Sequence, residues 1–326
     1  MEMPSHNRSV KSLSNLSARK PHFKTMVKSK QKTALMLVNP NARRGGEAIE
    51  PVIAKLQAGG INIIKEAFSS PTEIVADIIA RQGTIDFVIA CGGDGTLSGA
   101  APAIIKTGLP MGILPMGTAN DLARTLGIPN GLEQAADIII AGYKREIDLG
   151  EVNGHPFFNV ASLGLSSDLA GSLDNTLKRR FGRLGYAIAA IKVLSRAKAF
   201  RAMIITKDGA TRVKTLQIAV GNGRHYGGGN VIEKTAAIDD GMLDLYSLEL
   251  GSVWKLALMA KSFRAGSHGA WQEVRTERCT EFEVRTRKAM PVNCDGELIT
   301  QTPATFKLLR NAVTVFAPEN VAKAET

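Results

Sequence analysis

The chain has 326 residues, 44% of them hydrophobic and 22% charged, a composition that excludes a disordered or fibrous protein and leaves room for two folded domains. Its three cysteines are an odd set without metal-ligand spacing, and no apolar run is long enough for a spanning helix, so neither a disulfide scaffold nor a transmembrane anchor is expected. The formal charge of +11 is uneven, with eight Lys and Arg against the single acid Glu2 in residues 1–32.

That basic segment, 1–32, is predicted to be a disordered tail. Such a tail suits an anionic surface, nucleic acid or membrane, and its acid-poor, Ser-rich character also suits an organelle transit segment or a passive extension. No charged-then-apolar leader with a small-residue cleavage site opens the chain. From residue 33 the pattern is regular. "TALMLVN" reads as a strand running into the turn-rich "PNARRGG", residues 46–58 as a helix, and "INIIKEA" as a second strand. "SSPTEIVADIIA" carries a helix start, with Ser70 as N-cap, Pro71 at the first position and Glu73 three residues after the cap. "IDFVIA" and "MGIL" are further strands, and the alternation predicts a parallel sheet in an α/β domain over 33–148. Beyond it, short alternating runs such as "RAMIITK", "VKTLQIAVGN", "MLDLYSLEL" and "TEFEVRT" predict an antiparallel β-sandwich over 149–304, with helices near 172–197 and 252–264.

Three turns follow strands of the parallel sheet, on the edge where open α/β sheets bind ligands: "NPNARRGG", "CGGDGTLSGA" and "LPMGTANDLAR". Glycine is entropically costly, so its density in "GGDGT" implies a sharp bend or a close approach. Such turns let backbone N–H groups converge on phosphate beside a helix N-terminus. Asp94 would repel a bare phosphate, which points instead to Mg²⁺ or a hydroxyl partner. A plain strand-to-helix turn with an Asp cap would also produce the pentapeptide. Neither GxxxxGK[ST] nor GxGxxG is present, which argues against common ATPases and dinucleotide dehydrogenases. In "NCDGELI", Asp295 and Glu297 flank Gly296 and on an extended chain would point the same way, as a proton acceptor for a hydroxyl nucleophile requires. An Asp-Gly turn between strands is the alternative.

Taken in order, "NPNARRGG", "GGDGT", "LPMGTANDLAR", "DDGMLD" and "CDGE" resemble the diacylglycerol kinase catalytic family, which includes sphingosine kinases and bacterial lipid kinases. The resemblance spans roughly residues 33–315. It implies an N-terminal nucleotide domain and a C-terminal β-sandwich, with 305–318 returning to the first domain. ATP contacts are implied for Asn39, Pro40, Asn41, Ser69 (or Ser70), Gly92, Gly93, Asp94, Gly95, Thr96, Leu97, Gly117, Thr118, Asn120 and Asp121. A structural Mg²⁺ is implied at the Asp240 carboxylate and the carbonyls of Ala237 and Met242, although by composition alone "DDG" is a hairpin turn. Asp295 and Glu297 are implied as the general base, with Asp94 organising the metal or itself taking the proton. The implied activity is ATP- and Mg²⁺-dependent phosphorylation of a lipid hydroxyl, diacylglycerol first, in a cytoplasmic enzyme docking peripherally on a membrane. Sphingoid bases, ceramide and other glycerolipids remain open as acceptors, and an NAD kinase-like enzyme or a non-catalytic binding protein are the other classes. No nucleic-acid partner is expected, and a homodimer is allowed. The basic cluster at 177–186 and the loop residues Arg224, His225 and Tyr226 are secondary candidates for flanking the acceptor.

Overall fold

The apolar runs of the first third become strands β1 (Lys32–Val38), β2 (Ile61–Ala67), β3 (Phe87–Gly92) and β4 (Met111–Pro115). Between and after them lie helices α1 (Glu50–Ala58), α2 (Pro71–Ala80), α3 (Asp94–Thr107), α4 (Asp121–Thr125) and α5 (Leu132–Ala141). The computed structural model describes residues 31–39, 49–68, 70–165, 198–222, 225–226, 230–231, 237–249 and 274–319. The expected helices near 172–197 and 252–264, residues 1–30 of the basic tail, the 177–186 cluster and Arg224 lie outside the described residues, and Lys32, expected in the tail, opens β1.

β1 pairs in parallel with β2 and β3, and β3 with β4, giving the order 2-1-3-4. Every residue of β3 and β4 is buried, as strands covered on both faces must be. α1 packs with α5 and α2 with α3. α2 begins as its sequence predicts: Ser70 Oγ accepts the Glu73 N–H at 3.3 Å with Pro71 at the first position.

The remaining strands are β5 (Lys144–Val152), β6 (His155–Phe157), β7 (Val160–Gly164), β8 (Phe200–Thr206), β9 (Gly209–Thr215), β10 (Gln217–Gly221), β11 (His225–Tyr226), β12 (Asn230–Val231), β13 (Leu243–Leu248), β14 (Val274–Cys279), β15 (Glu281–Thr286), β16 (Pro291–Cys294), β17 (Glu297–Gln301) and β18 (Ala304–Phe316). One antiparallel sheet runs β14-β13-β10-β7-β16-β17. The other, β15-β8-β9, is continuous with the parallel sheet, because β18 lies between β4 and β15. β18 pairs with β5 along most of its length, and the register slips between Leu309 and Val313. Its N-terminal half pairs with β15, and Val315 meets Met111 of β4 in parallel.

Asn311, within the slipped segment, has φ 49° and donates its N–H to Asp148 Oδ1 at 2.8 Å. Two apolar clusters result. One is centred on β1, β3, β4 and their helices and includes Val313, Val315 and Phe316 of β18; the other lies between the antiparallel layers and includes Phe306, whose ring stacks on Phe282. Cys91 is buried in the first cluster, and Cys279 and Cys294 in the second.

Candidate active site

The glycine density of "GGDGT" has a direct steric cause. The turn after β3 and the turn after β4 pass backbone against backbone. A Cβ on Gly117 would stand 2.5 Å from Gly93 Cα, and one on Gly93 would stand 2.9 Å from Gly117 Cα. At Gly92 the obstacle is Thr96, whose Oγ1 would lie 2.1 Å away. The Met116 N–H donates to Gly92 O at 2.8 Å and closes the approach. Asn39, directly after β1, donates its backbone N–H to Cys91 O at 3.1 Å and its Nδ2 to Thr96 Oγ1 at 3.2 Å. The ends of β1, β3 and β4 thus form one rigid edge.

α3 starts on this edge without a side-chain cap at Gly93, which leaves the positive end of its dipole at the edge. Asp94 opens the helix, and its Oδ1 accepts the Leu122 N–H of α4 at 3.2 Å. Asn120 holds the left-handed conformation (φ 51°) and folds back on its own turn. Its Oδ1 accepts the Gly117 N–H at 2.9 Å, while its Nδ2 donates to Gly117 O at 3.2 Å and Asn130 Oδ1 at 3.3 Å. Thr118 is exposed at the tip of that turn; Asp121 is buried, 3.6 Å from Arg124 Nη1. The Leu97 side chain points into the core, so only its backbone belongs to this edge. Pro40, Asn41 and Ser69 lie outside the described residues.

The two carboxylates of "CDGE" arrive from the antiparallel domain. The segment is not extended: Asp295 has φ 48° and Gly296 φ 105°, so a tight turn joins β16 to β17. A left-handed pair reverses the chain, and the expected strand alternation does not apply here. The turn carries both carboxylates to the start of α3 by different routes. Asp295 Oδ2 accepts the Phe158 N–H at 2.8 Å and the Ser98 hydroxyl at 3.1 Å, and Oδ1 accepts the Asn159 and Val160 N–H groups, each at 3.0 Å. Burial pushes the Asp295 carboxyl above its ordinary value against the pull of the three amides, and the neighbouring Asp94 adds to the rise. Glu297 is exposed and lies over the "GGDGT" turn, its Oε1 3.2 Å from where a Cβ on Gly95 would be.

Sequence reasoning missed Ser98, Asp148 and Asn222. Ser98 sits one helical turn after Asp94 and therefore on its face of α3, a signal that was available. Asp148 is buried and accepts the Gly241 N–H at 2.9 Å as well as that of Asn311; Asn222 Nδ2 donates to Asp148 O at 2.8 Å and Phe158 O at 3.0 Å. Only their buried polar character marks them, and a sequence does not display burial.

At the expected Mg²⁺ position, Asp240 faces positive groups. Its Oδ2 accepts the Ala237 N–H at 3.2 Å and its Oδ1 the Met242 N–H at 3.0 Å, while Arg278 Nη2 stands 2.6 Å from Oδ2. The Ala237 carbonyl already accepts the Asp240 N–H at 3.3 Å. Hard-cation sites need converging oxygens free to bind, and here both Asp240 oxygens are already taken up by two amides and a guanidinium, while the Ala237 carbonyl accepts an N–H. These residues do not fit the ion. No group of three His, Cys, Asp or Glu side chains with metal-ligand geometry occurs elsewhere among the described residues.

Residues 33–152 match the family model described as the diacylglycerol kinase catalytic domain, and 159–317 match the YegS C-terminal NAD kinase beta sandwich-like domain. With this fold, the matches define the class: a lipid kinase. A diacylglycerol kinase of Mycobacterium tuberculosis is 32% identical over 296 residues, covering 87% of this chain and 94% of the relative. One from Staphylococcus saprophyticus is 28% identical over 304 residues, covering 90% and 98%. The fold is shared with the crystal structure of a diacylglycerol kinase from Bacillus anthracis, at a TM-score of 0.74 and 23% identity over 90% of this chain and 99% of that one. The chain belongs to the diacylglycerol kinase family.

Proposed function

We propose that this enzyme transfers the γ-phosphoryl group of ATP to the hydroxyl of diacylglycerol, giving phosphatidic acid, at a membrane surface. The observation that carries this reading is the convergence of Asp94, Glu297 and the uncapped start of α3 on one edge, where two glycine turns bring the ends of β3 and β4 backbone to backbone. Phosphoryl transfer depends on positioning and charge neutralisation, which rigid amides and a helix N-terminus supply. Mg²⁺ bound with ATP would neutralise phosphate charge, and Asp94, whose Oδ2 accepts no hydrogen bond among the described residues, suits it as a protein carboxylate.

The different surroundings of the other two carboxylates support different roles for them. Asp295 spends its acceptor sites on three amides and the Ser98 hydroxyl, so it positions the "CDGE" turn against 158–160. Glu297, exposed over the same edge, takes the proton from the lipid hydroxyl. The test is radiolabel transfer from γ-labelled ATP into a total lipid extract, resolved by lipid class. Label should appear in phosphatidic acid, and Glu297→Gln should lower turnover roughly 100-fold or more while ATP affinity is kept. If Glu297→Gln turns over normally, the base is Asp94; if label appears in another lipid class, the acceptor assignment fails.

A further inference from the structure

The turn at 237–242 carries two adjacent acids, Asp239 and Asp240, beside the buried Asp244 and Asp148. So much negative charge in one place needs a counter-charge, and the chain supplies its own. Arg278 of β14 is the register partner of Asp244 on β13, which fixes its side chain over the turn. Its Nε stands 2.8 Å from Asp244 Oδ1 and its Nη2 2.6 Å from Asp240 Oδ2, so one guanidinium bridges both carboxylates. Arg145 pairs with Asp239 at 2.6 Å. The Arg310 guanidinium lies against Gly241, where an added Cβ would meet it at 3.1 Å.

We propose that Arg278 is the built-in cation of this turn, and that the protein holds 237–242 and the site behind it without a divalent ion at Asp240. A guanidinium suits the task because its planar fork serves two carboxylates at once and never loses its charge. A divalent ion placed beside it would meet like charge, and carboxylate oxygens already shared with the Ala237 and Met242 amides. The turn matters to the site through a continuous run of hydrogen bonds. Gly241 donates to Asp148; Asn222 joins the Asp148 and Phe158 carbonyls; the Phe158 N–H reaches Asp295. The proposal does not depend on which lipid is phosphorylated.

Thermal unfolding of the full chain without nucleotide, in excess EDTA and in excess MgCl₂ at matched ionic strength, tests it. Wild type and Asp240→Asn should respond to Mg²⁺ alike, and Arg278→Met should lose several degrees in EDTA. In parallel, Mn²⁺ binding followed by electron paramagnetic resonance should reveal no ion held by wild type and lost in Asp240→Asn. A Mg²⁺-dependent midpoint, or a bound Mn²⁺, that disappears in Asp240→Asn overturns the proposal. So does an unchanged midpoint for Arg278→Met in EDTA. Should Arg278→Met fail to fold, the comparison of wild type with Asp240→Asn decides by itself.

Discussion

Asp295 shows how one side chain's surroundings can be read as a pH dependence. Its carboxyl is raised above the ordinary value of 3.8, so the folded chain holds its proton more tightly than the unfolded chain does. The stability this contributes is fully present below that ordinary value and is lost as pH rises through the folded one. Wild type should therefore lose stability relative to Asp295→Asn as pH rises from about 4 towards neutrality, measured as the difference in urea-unfolding free energy. A difference that stays constant across that window would mean the burial has no net effect on the proton. The sequence singles this residue out, but the contacts it makes are not legible there. "CDGE" names two carboxylates; only the three amides at 158–160, more than a hundred positions away in the chain, distinguish the one that is held from the one that is open.

Among elements, the paired turns after β3 and β4 are where local sequence said most. Gly and Asn at 92–95 and 117–120 announce bends because few other residues reach such conformations or tolerate such contact. Which turn touches which is long-range information, so the Gly93–Gly117 approach appears only in the fold. Gly117→Ala should push the two turns apart, costing about 1–3 kcal/mol of stability and weakening ATP binding together. Denaturant unfolding and nucleotide titration on the same variant check this; a loss of binding without loss of stability would mean the alanine blocks phosphate and leaves the turns in place. Strand and helix positions in the first domain were legible for a different reason. Continuous apolar runs and a Ser-Pro helix start are written within a few residues, whereas the bend of the last strand depends on Asn311 meeting Asp148 from far away.

For the whole molecule, β18 binds the parallel sheet and the antiparallel layers into one structure, since its two halves serve both apolar clusters. The two domains should unfold together. Calorimetric and van't Hoff enthalpies should agree, and two separate transitions would show that the shared strand does not couple them. Asp148→Ala should destabilise the protein by about 3 kcal/mol, because it strips the buried Gly241 and Asn311 amides of their acceptor at the bend. The three buried thiols give this architecture its own stopwatch. Burial pushes the Cys294 thiol up to about 12, the Cys279 thiol to about 11 and the Cys91 thiol higher still, so a thiolate scarcely forms while the fold is closed. An alkylating reagent would then modify each sulfur only during an opening. Timing Cys91 against Cys279 and Cys294 by mass spectrometry would clock the two apolar clusters separately, with no label engineered into the chain.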